Sequence, residues 1–298
     1  MGSLKRRRGA AAKEPFVAVP LRDNWYQSSS YWPSSFALVT TVDEHGETNV
    51  APYQLSFPFE VISGRSLLLI SRQGSNTEAN IKRTGVCSLN YVEFDRRDLK
   101  KIVSLGYPGQ STAEKSGDNP YSLIASPTPG REPDGNRFPH LLGEAFQVYE
   151  CSWDTDQPIR DDGATPEYFV LRIENVLLKD RWARNLGDEA KAMPRMPITF
   201  GFRGGTQFWF AELRKPFMLR TPTDKGPKEE AILYEANRID PEVAFTREAC
   251  QQLTGIPRPF VKVALKGIIA KAKDRGVSVV DAEFVELVNA ERQGKGVG

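Results

Sequence analysis

The sequence predicts a mainly β protein with helical additions, a β-barrel followed by a small C-terminal helical bundle. Three observations carry this. Short runs rich in Val, Thr, Phe, Tyr and Trp, broken by turn residues, dominate from Phe36 to about Leu219. One of these breaks is a polar loop, Gly74-Ser75-Asn76-Thr77, with the chemistry of a helix start. Past the Pro/Gly-rich stretch Thr221–Pro227 the pattern changes to a helical period. The expected organisation is a disordered or extended segment over 1–30, a barrel over 31–220 and a helical unit over 228–298.

Ser35–Val42 is rich in β-formers, and Asp43-Glu44-His45-Gly46 is a turn ending in Gly. Thr48–Leu55 follows as a strand. Its Pro52 cannot donate to a ladder, which marks an edge or an end. Arg65–Ser71 is a compact apolar strand; a short helix runs from the polar loop to a stop at Gly85. Gly106–Pro139 is a long Gly/Pro/Ser-rich interval, either a lid or a passive excursion. Beyond the linker, Glu229–Arg238 and Pro241–Leu253 read as helices. Pro259–Arg275 reads as a third, with Phe260, Val263, Ala264, Ile268 and Ala272 on one face and Gly276 as its stop. Ser278 and Asp281 resemble a capping box for a last helix bearing Phe284, Leu287 and Val288.

The order V-T-T-V-D-x-x-G-x-x-N-V-A-P-Y, then an apolar strand, then S-x-x-G-S-N-T-x-x-N-I-x-x-T-G, resembles the flavin reductase-like group of FMN-binding split β-barrels. The resemblance spans roughly Pro33 to Leu219, with Tyr168–Val176 similar to that family's late barrel strand. It implies a homodimer, FMN as cofactor, NADH or NADPH as electron donor, and reduced flavin passed to a partner oxygenase or another redox protein. Three positions depart from the family pattern. Gln54 stands where a small hydroxyl residue is usual, Tyr168 where a His is, and Asp118-Asn119-Pro120-Tyr121 lacks a basic residue. Ile256–Lys262 with Ala272–Ser278 resembles the small C-terminal domain of light-independent protochlorophyllide reductase subunits, Ile269 replacing that family's acidic residue. The helical tail is then either a bundle packed on the barrel or a partner-binding module.

An FMN phosphate needs N–H donors, hydroxyls and a guanidinium, and Ser71, Arg72, Ser75, Asn76 and Thr77 offer all three within one loop. The helix start adds roughly half a positive charge there. Ser75 or Asn76 also suits a simple helix cap, and the two roles are compatible. The resemblance assigns the ring system to Asn49, Ala51, Pro52, Tyr53, Gln54 and Leu55, with Gln54 either meeting the ring edge or facing outward. Asn80 is either cofactor-linked or a tie between the helix and its neighbour; Tyr168 is either a nicotinamide-side residue or an ordinary strand aromatic.

Other chemistries find little support. The two histidines, His45 and His140, have no metal-ligand spacing, and neither a G-x-S-x-G elbow nor a G-x-G-x-x-G loop follows a strand. Sparse acid–base candidates suit a reaction in which a cofactor carries the hard step. A net charge of +2, from 40 basic and 38 acidic side chains, argues against a nucleic-acid binder. Lys5-Arg6-Arg7-Arg8 is either a solvated tail or an arm touching RNA or membrane. Cys87, Cys151 and Cys250 form no C-x-x-C pair and read as small buried residues. With no long apolar run and no signal-peptide core, the expected location is the cytoplasm. A non-catalytic FMN electron carrier or sensor, docking partners through the helical tail, is the competing function.

Overall fold

The computed structural model describes residues 15–61, 64–159, 167–187, 192–203, 207–212 and 228–294. They belong to two units, Met1–Pro216 and Phe217–Gly298. The linker Thr221–Pro227 and the basic run Lys5–Arg8 lie outside the described residues.

Among the described residues, the first elements of the first unit are a four-residue helix, α1 (Trp25–Ser28), and the short strand β1 (Ser34–Ser35). Its main sheet is antiparallel and curls into a half-barrel. The seven strands are β2 (Ala37–Val42), β3 (Thr48–Tyr53), β4 (Ser56–Pro58), β5 (Ser66–Ser71), β6 (Val86–Tyr91), β9 (Gln147–Trp153) and β10 (Glu167–Leu178), in the order β3-β2-β6-β9-β10-β5-β4. Between them run α2 (Asn76–Thr84), α3 (Arg96–Leu105), α4 (Thr112–Ser116) and the small ribbon of β7 (Leu123–Ile124) with β8 (Leu141–Leu142). After β10 come α5 (Asp180–Gly187), β11 (Pro197–Arg203) and β12 (Gln207–Glu212), and β1, β11 and β12 form a separate three-stranded sheet.

β2 is buried at every position because both of its faces are covered. Ala37 and Val39 enter a core with Leu69, Leu89, Phe169 and Leu171. Phe36 and Leu38 enter a second core closed by Leu99, Ile102 and Leu105 of α3. β3 is an edge strand and carries Pro52 opposite Leu38, where a missing donor costs the ladder nothing. The strand expected to reach Leu55 ends at Tyr53. The chain then crosses from β3 at one edge of the sheet to β4 at the other, so Gln54 and Leu55 bridge the two edges of the half-barrel. Ile70 N–H donates to the Leu55 carbonyl at 3.0 Å and fixes that crossing.

The expected helix start is present. Ser75 caps α2 by accepting from Glu78 N–H, and Gly85 ends it at φ 73°, its own N–H on the Ile81 carbonyl. The 106–139 interval is folded rather than a bare loop. Ser111 and Glu114 form a capping box on α4, and Ser126 and Thr128 donate to the buried Glu150 carboxylate at 2.5 and 2.7 Å. α3 buries Leu99, Ile102 and Leu105 at helical spacing behind its cap Asp95, an element beyond those expected from the sequence. Residues 21–30, expected to be disordered or extended, contain α1 and close hydrogen bonds such as Ser29 Oγ to the Pro20 carbonyl at 2.8 Å.

The second unit contains α6 (Glu229–Ile239), β13 (Ala244–Phe245), α7 (Arg247–Gln252), α8 (Arg258–Asp274), β14 (Val279–Val280) and α9 (Ala282–Gly294) around its own core of Ile232, Ala236, Leu265, Ile268, Val285 and Val288. Two expectations fail here. Pro241–Leu253 is not one helix: Ala244 and Phe245 pair in parallel with Val279 and Val280, and the helix starts only at the Thr246 cap. Ser278 is likewise no cap, because Val279 and Val280 are in that ribbon and Asp281 caps α9, accepting from Phe284 N–H at 2.8 Å. The buried stripe of α8 is also rotated from the expected face. Phe260 and Val263 are exposed, while Val261, Leu265 and Ile269 join Ala264, Ile268 and Ala272 inside.

Asp281→Ala should cost about 1 kcal/mol of this unit's stability, the usual worth of a cap, and Ser278→Ala less than about 0.5 kcal/mol. Urea midpoints decide it; equal losses would return the cap to Ser278.

Candidate functional site

A cavity of about 1000 Å³ opens in the first unit where the sheet edges approach each other. Its apolar wall comes from Phe36, Pro52, Leu55, Ile70, Ile102, Phe208 and Phe210. Ser71, Arg72 and Gln73 line one part of it, Tyr53 and Gln54 another, and Leu21–Gln27 lie across it. The end of α3 is fitted closely to this wall: a Cβ on Gly106 would stand 3.1 Å from Pro52 Cγ.

The loop between β5 and α2 gathers hydroxyls at the mouth of the helix. Tyr53 Oη lies 2.7 Å from Ser71 Oγ, which lies 3.0 Å from Ser75 Oγ. Gly74 is left-handed at φ 72°, and its N–H donates to the Glu78 carboxylate, which Lys82 in turn holds. Glu78 therefore takes one donor of the loop. Among the described residues the N–H groups of Asn76 and Thr77 have no protein acceptor, as expected of the first turn of a helix. Arg72 is exposed at the cavity rim and makes no ion pair among the described residues.

Behind this loop lies a second, internal layer. Asn49 is fully buried; its amide donates to Thr77 Oγ1 at 3.4 Å and its carbonyl accepts from Asn76 at 3.3 Å. Asn76 also donates to the Gln110 carbonyl at 3.0 Å. Asn80 donates to Thr41 Oγ1 at 3.0 Å and so ties α2 to β2. Asn49, Thr77 and Asn80 thus spend their side chains positioning the loop, and none lines the cavity. Of the residues assigned from the sequence, Pro52, Tyr53, Gln54, Leu55, Ser71 and Arg72 come together on it. Ser75 and Asn76 stand at the helix start beside them, and Ala51 is buried within β3. Tyr168 faces Ile70 across the β10–β5 ladder but does not line the cavity.

Gln27 is the residue that sequence reasoning missed, since an N-terminal segment carries no periodic signal. Its Nε2 donates to Gln54 Oε1 at 3.2 Å. Gln54 Nε2 is then left buried and without a protein acceptor, on a residue that lines the cavity. Gly201 makes room for the arrangement: at φ 72°, a Cβ there would fall 2.4 Å from Gln27 Nε2.

This donor set fits a flavin nucleotide. There are apolar walls for a flat ring system, an unpartnered amide donor for a ring carbonyl, and hydroxyls, helix N–H groups and a guanidinium for a phosphate. Burial pushes the Cys87 thiol up to about 12, so it has no thiolate character at neutral pH. Among the described residues no group of three or more His, Cys, Asp or Glu could hold a metal ion.

Comparison with solved structures places the fold. The chain is similar to 2-nitrobenzoate 2-nitroreductase from Pseudomonas fluorescens, with a TM-score of 0.52 and 17% identity over 70% of this chain and 97% of that one. It is similar to flavoredoxin from Methanosarcina acetivorans, with a TM-score of 0.50 and 13% identity over 70% and 98%. It is also similar to nitrilotriacetate monooxygenase component B from Bacillus cereus, with a TM-score of 0.50 and 15% identity over 70% and 100%. The fold is the flavin reductase-like split barrel. No family model and no curated protein matches the sequence.

Proposed function

We propose that the cavity binds FMN and that the protein is a flavin reductase-type oxidoreductase using NADH or NADPH. The observation that carries this is the meeting, on one cavity, of an anion-binding loop with an unpartnered buried amide. The phosphate is assigned to Arg72, to the hydroxyls of Ser71 and Ser75, and to the N–H groups of Asn76 and Thr77. The ring system is assigned to Pro52, Tyr53, Gln54 and Leu55, with Asn49 and Asn80 acting through the loop they hold. FMN supplies the two-electron chemistry. The chain's part is to bind, to orient and to exclude water. Gln54 is held by Gln27 through its side-chain carbonyl and directs its unpartnered amide to a ring carbonyl. Tyr168 is proposed on the nicotinamide side.

The nitroreductase, flavoredoxin and monooxygenase-component names among similar folds support redox work with flavin, and a partner oxygenase as recipient of reduced flavin. A homodimer is proposed as the working form; Trp209 on the edge strand β12 and Tyr31 are exposed aromatics suited to a second copy. For the helical unit, whose resemblance to the protochlorophyllide reductase domain rests on sequence segments, a docking role is proposed. Cytoplasmic location is proposed from the reduced, buried cysteines. Among the described residues no helix is long and apolar enough to cross a membrane.

The test is the absorption spectrum of purified protein after addition of FMN, followed by anaerobic NADH or NADPH. Bound flavin that bleaches on nicotinamide addition is the expected result. Bound flavin that never bleaches would favour the carrier or sensor function, and failure to bind FMN at micromolar concentration would overturn both.

A further inference from the structure

Gln27 and Gln54 both line the cavity, and they come from segments that meet only in the folded chain. The backbone around Gln27 is itself held. Its N–H donates to the Asn24 carbonyl at 2.8 Å, Asn24 is left-handed at φ 53°, and α1 packs against β11. A glutamine amide has an accepting end and a donating end, and a half-turn of its terminal bond exchanges them. Gln27 donates to Gln54 Oε1 at 3.2 Å, which takes the accepting end. The end left without a protein partner is the buried donor, Gln54 Nε2. A buried donor with no acceptor is unfavourable in the empty protein and is satisfied when a ligand brings an acceptor. With the amide reversed, the site would offer an acceptor instead.

We propose that Gln27 is a positioning residue: it sets which end of the Gln54 amide the bound ring meets, and so biases the site toward the reduced ring. This rests on the FMN assignment above. On reduction the ring takes up two electrons and a proton, and negative charge builds on the carbonyl oxygens and nitrogens of its pyrimidine edge. A fixed donor at that edge gains strength as the charge appears, whereas a fixed acceptor loses it. Gln27 thus acts through Gln54, from an N-terminal segment separate from β3 and from the β5–α2 loop.

The experiment measures the potential of FMN bound to full-length wild type, Gln27→Met, Gln27→Glu, Gln54→Leu and the Gln27→Glu/Gln54→Leu double variant, by anaerobic dithionite titration at pH about 8 against a reference dye, where a glutamate at 27 is ionised. An ionised glutamate only accepts, so it draws the Gln54 N–H to itself and turns the Gln54 carbonyl toward the ring. Gln27→Glu is expected to lower the ratio of reduced to oxidised affinity at least tenfold, a drop of about 30 mV for a two-electron couple. Gln27→Met releases the amide without reversing it and should give a smaller shift of the same sign. In the Gln54→Leu background, Gln27→Glu should change the ratio less than threefold. An equal shift in that background would mean that the new charge acts on the ring directly, and would overturn the positioning role. An unchanged potential in Gln27→Glu would overturn it too, while FMN bound to the wild type would leave the FMN assignment standing. A wild type that binds no FMN would overturn both. Should Gln27→Glu not fold, Gly201→Ala displaces Gln27, since its Cβ would fall 2.4 Å from Gln27 Nε2. Its potential is expected to match that of Gln27→Met, and a wild-type potential there would overturn the proposal.

Discussion

Arg72→Glu is expected to lower FMN affinity by at least a hundredfold while changing riboflavin affinity less than threefold. The substitution removes a charge-assisted hydrogen bond, worth about 1.5–3 kcal/mol. It also places a carboxylate against a dianion; at ~4 Å even a water-like dielectric makes that repulsion on the order of 2 kcal/mol. The sum exceeds the ~2.8 kcal/mol that corresponds to a factor of a hundred. Folding should hardly change, because Arg72 is exposed and makes no ion pair among the described residues. Parallel fluorescence titrations of the two flavins decide the matter. Equal losses would mean that Arg72 touches the ring end or the fold, and no loss would move the phosphate elsewhere.

The β5–α2 loop was legible in the sequence because its chemistry is local. Ser75 caps the helix three residues ahead of the N–H it accepts, and Gly85 must be left-handed, so neither depends on distant partners. The same holds for the β2–β3 hairpin, closed by Gly46 at φ 83° and by Asp43 accepting from the N–H of Glu47. Gln27 was illegible for the opposite reason. It lies far along the chain from the residue it serves, reaching Gln54 only through the fold. A sequence pattern shows that a polar residue exists, but not that folding will bury it.

The helical unit went wrong at two places where a tertiary pairing overrode a local preference. Ala244-Phe245 and Val279-Val280 are separated by the whole of α7 and α8, and their parallel pairing cannot be read from either segment alone. Once it forms, Pro241–Leu253 loses its first turns of helix and the cap passes from Ser278 to Asp281. On α8 the period was right and the phase was not. Phe260 suggests a core residue by type, but the stripe that closes the bundle runs through Val261, Leu265 and Ile268.

Register in the barrel makes the sharpest stability prediction. Phe169 and Tyr168 are neighbours on β10, paired with Leu69 and Ile70 of the strand that delivers Ser71 and Arg72 to the cavity. Alternation sends them to opposite faces. Phe169 is 1% exposed, within the core of Leu67, Leu69 and Leu171, its ring 5.3 Å from Trp153 in an edge contact. Tyr168 is half-buried on the other face. Phe169→Ala should therefore cost about 3–5 kcal/mol, through lost burial and the cavity it leaves. That is a large share of the ~5–15 kcal/mol that stabilises a typical domain. Tyr168→Phe keeps the ring and should stay within about 0.5 kcal/mol. Because β5 rests on Phe169 through Leu69, FMN binding should weaken in Phe169→Ala at temperatures where the barrel is still folded. Urea midpoints of the two variants, taken with and without FMN, measure both effects. A slip of one residue between β10 and β5 would exchange the two faces, and the larger loss would then fall on a Tyr168→Ala variant instead.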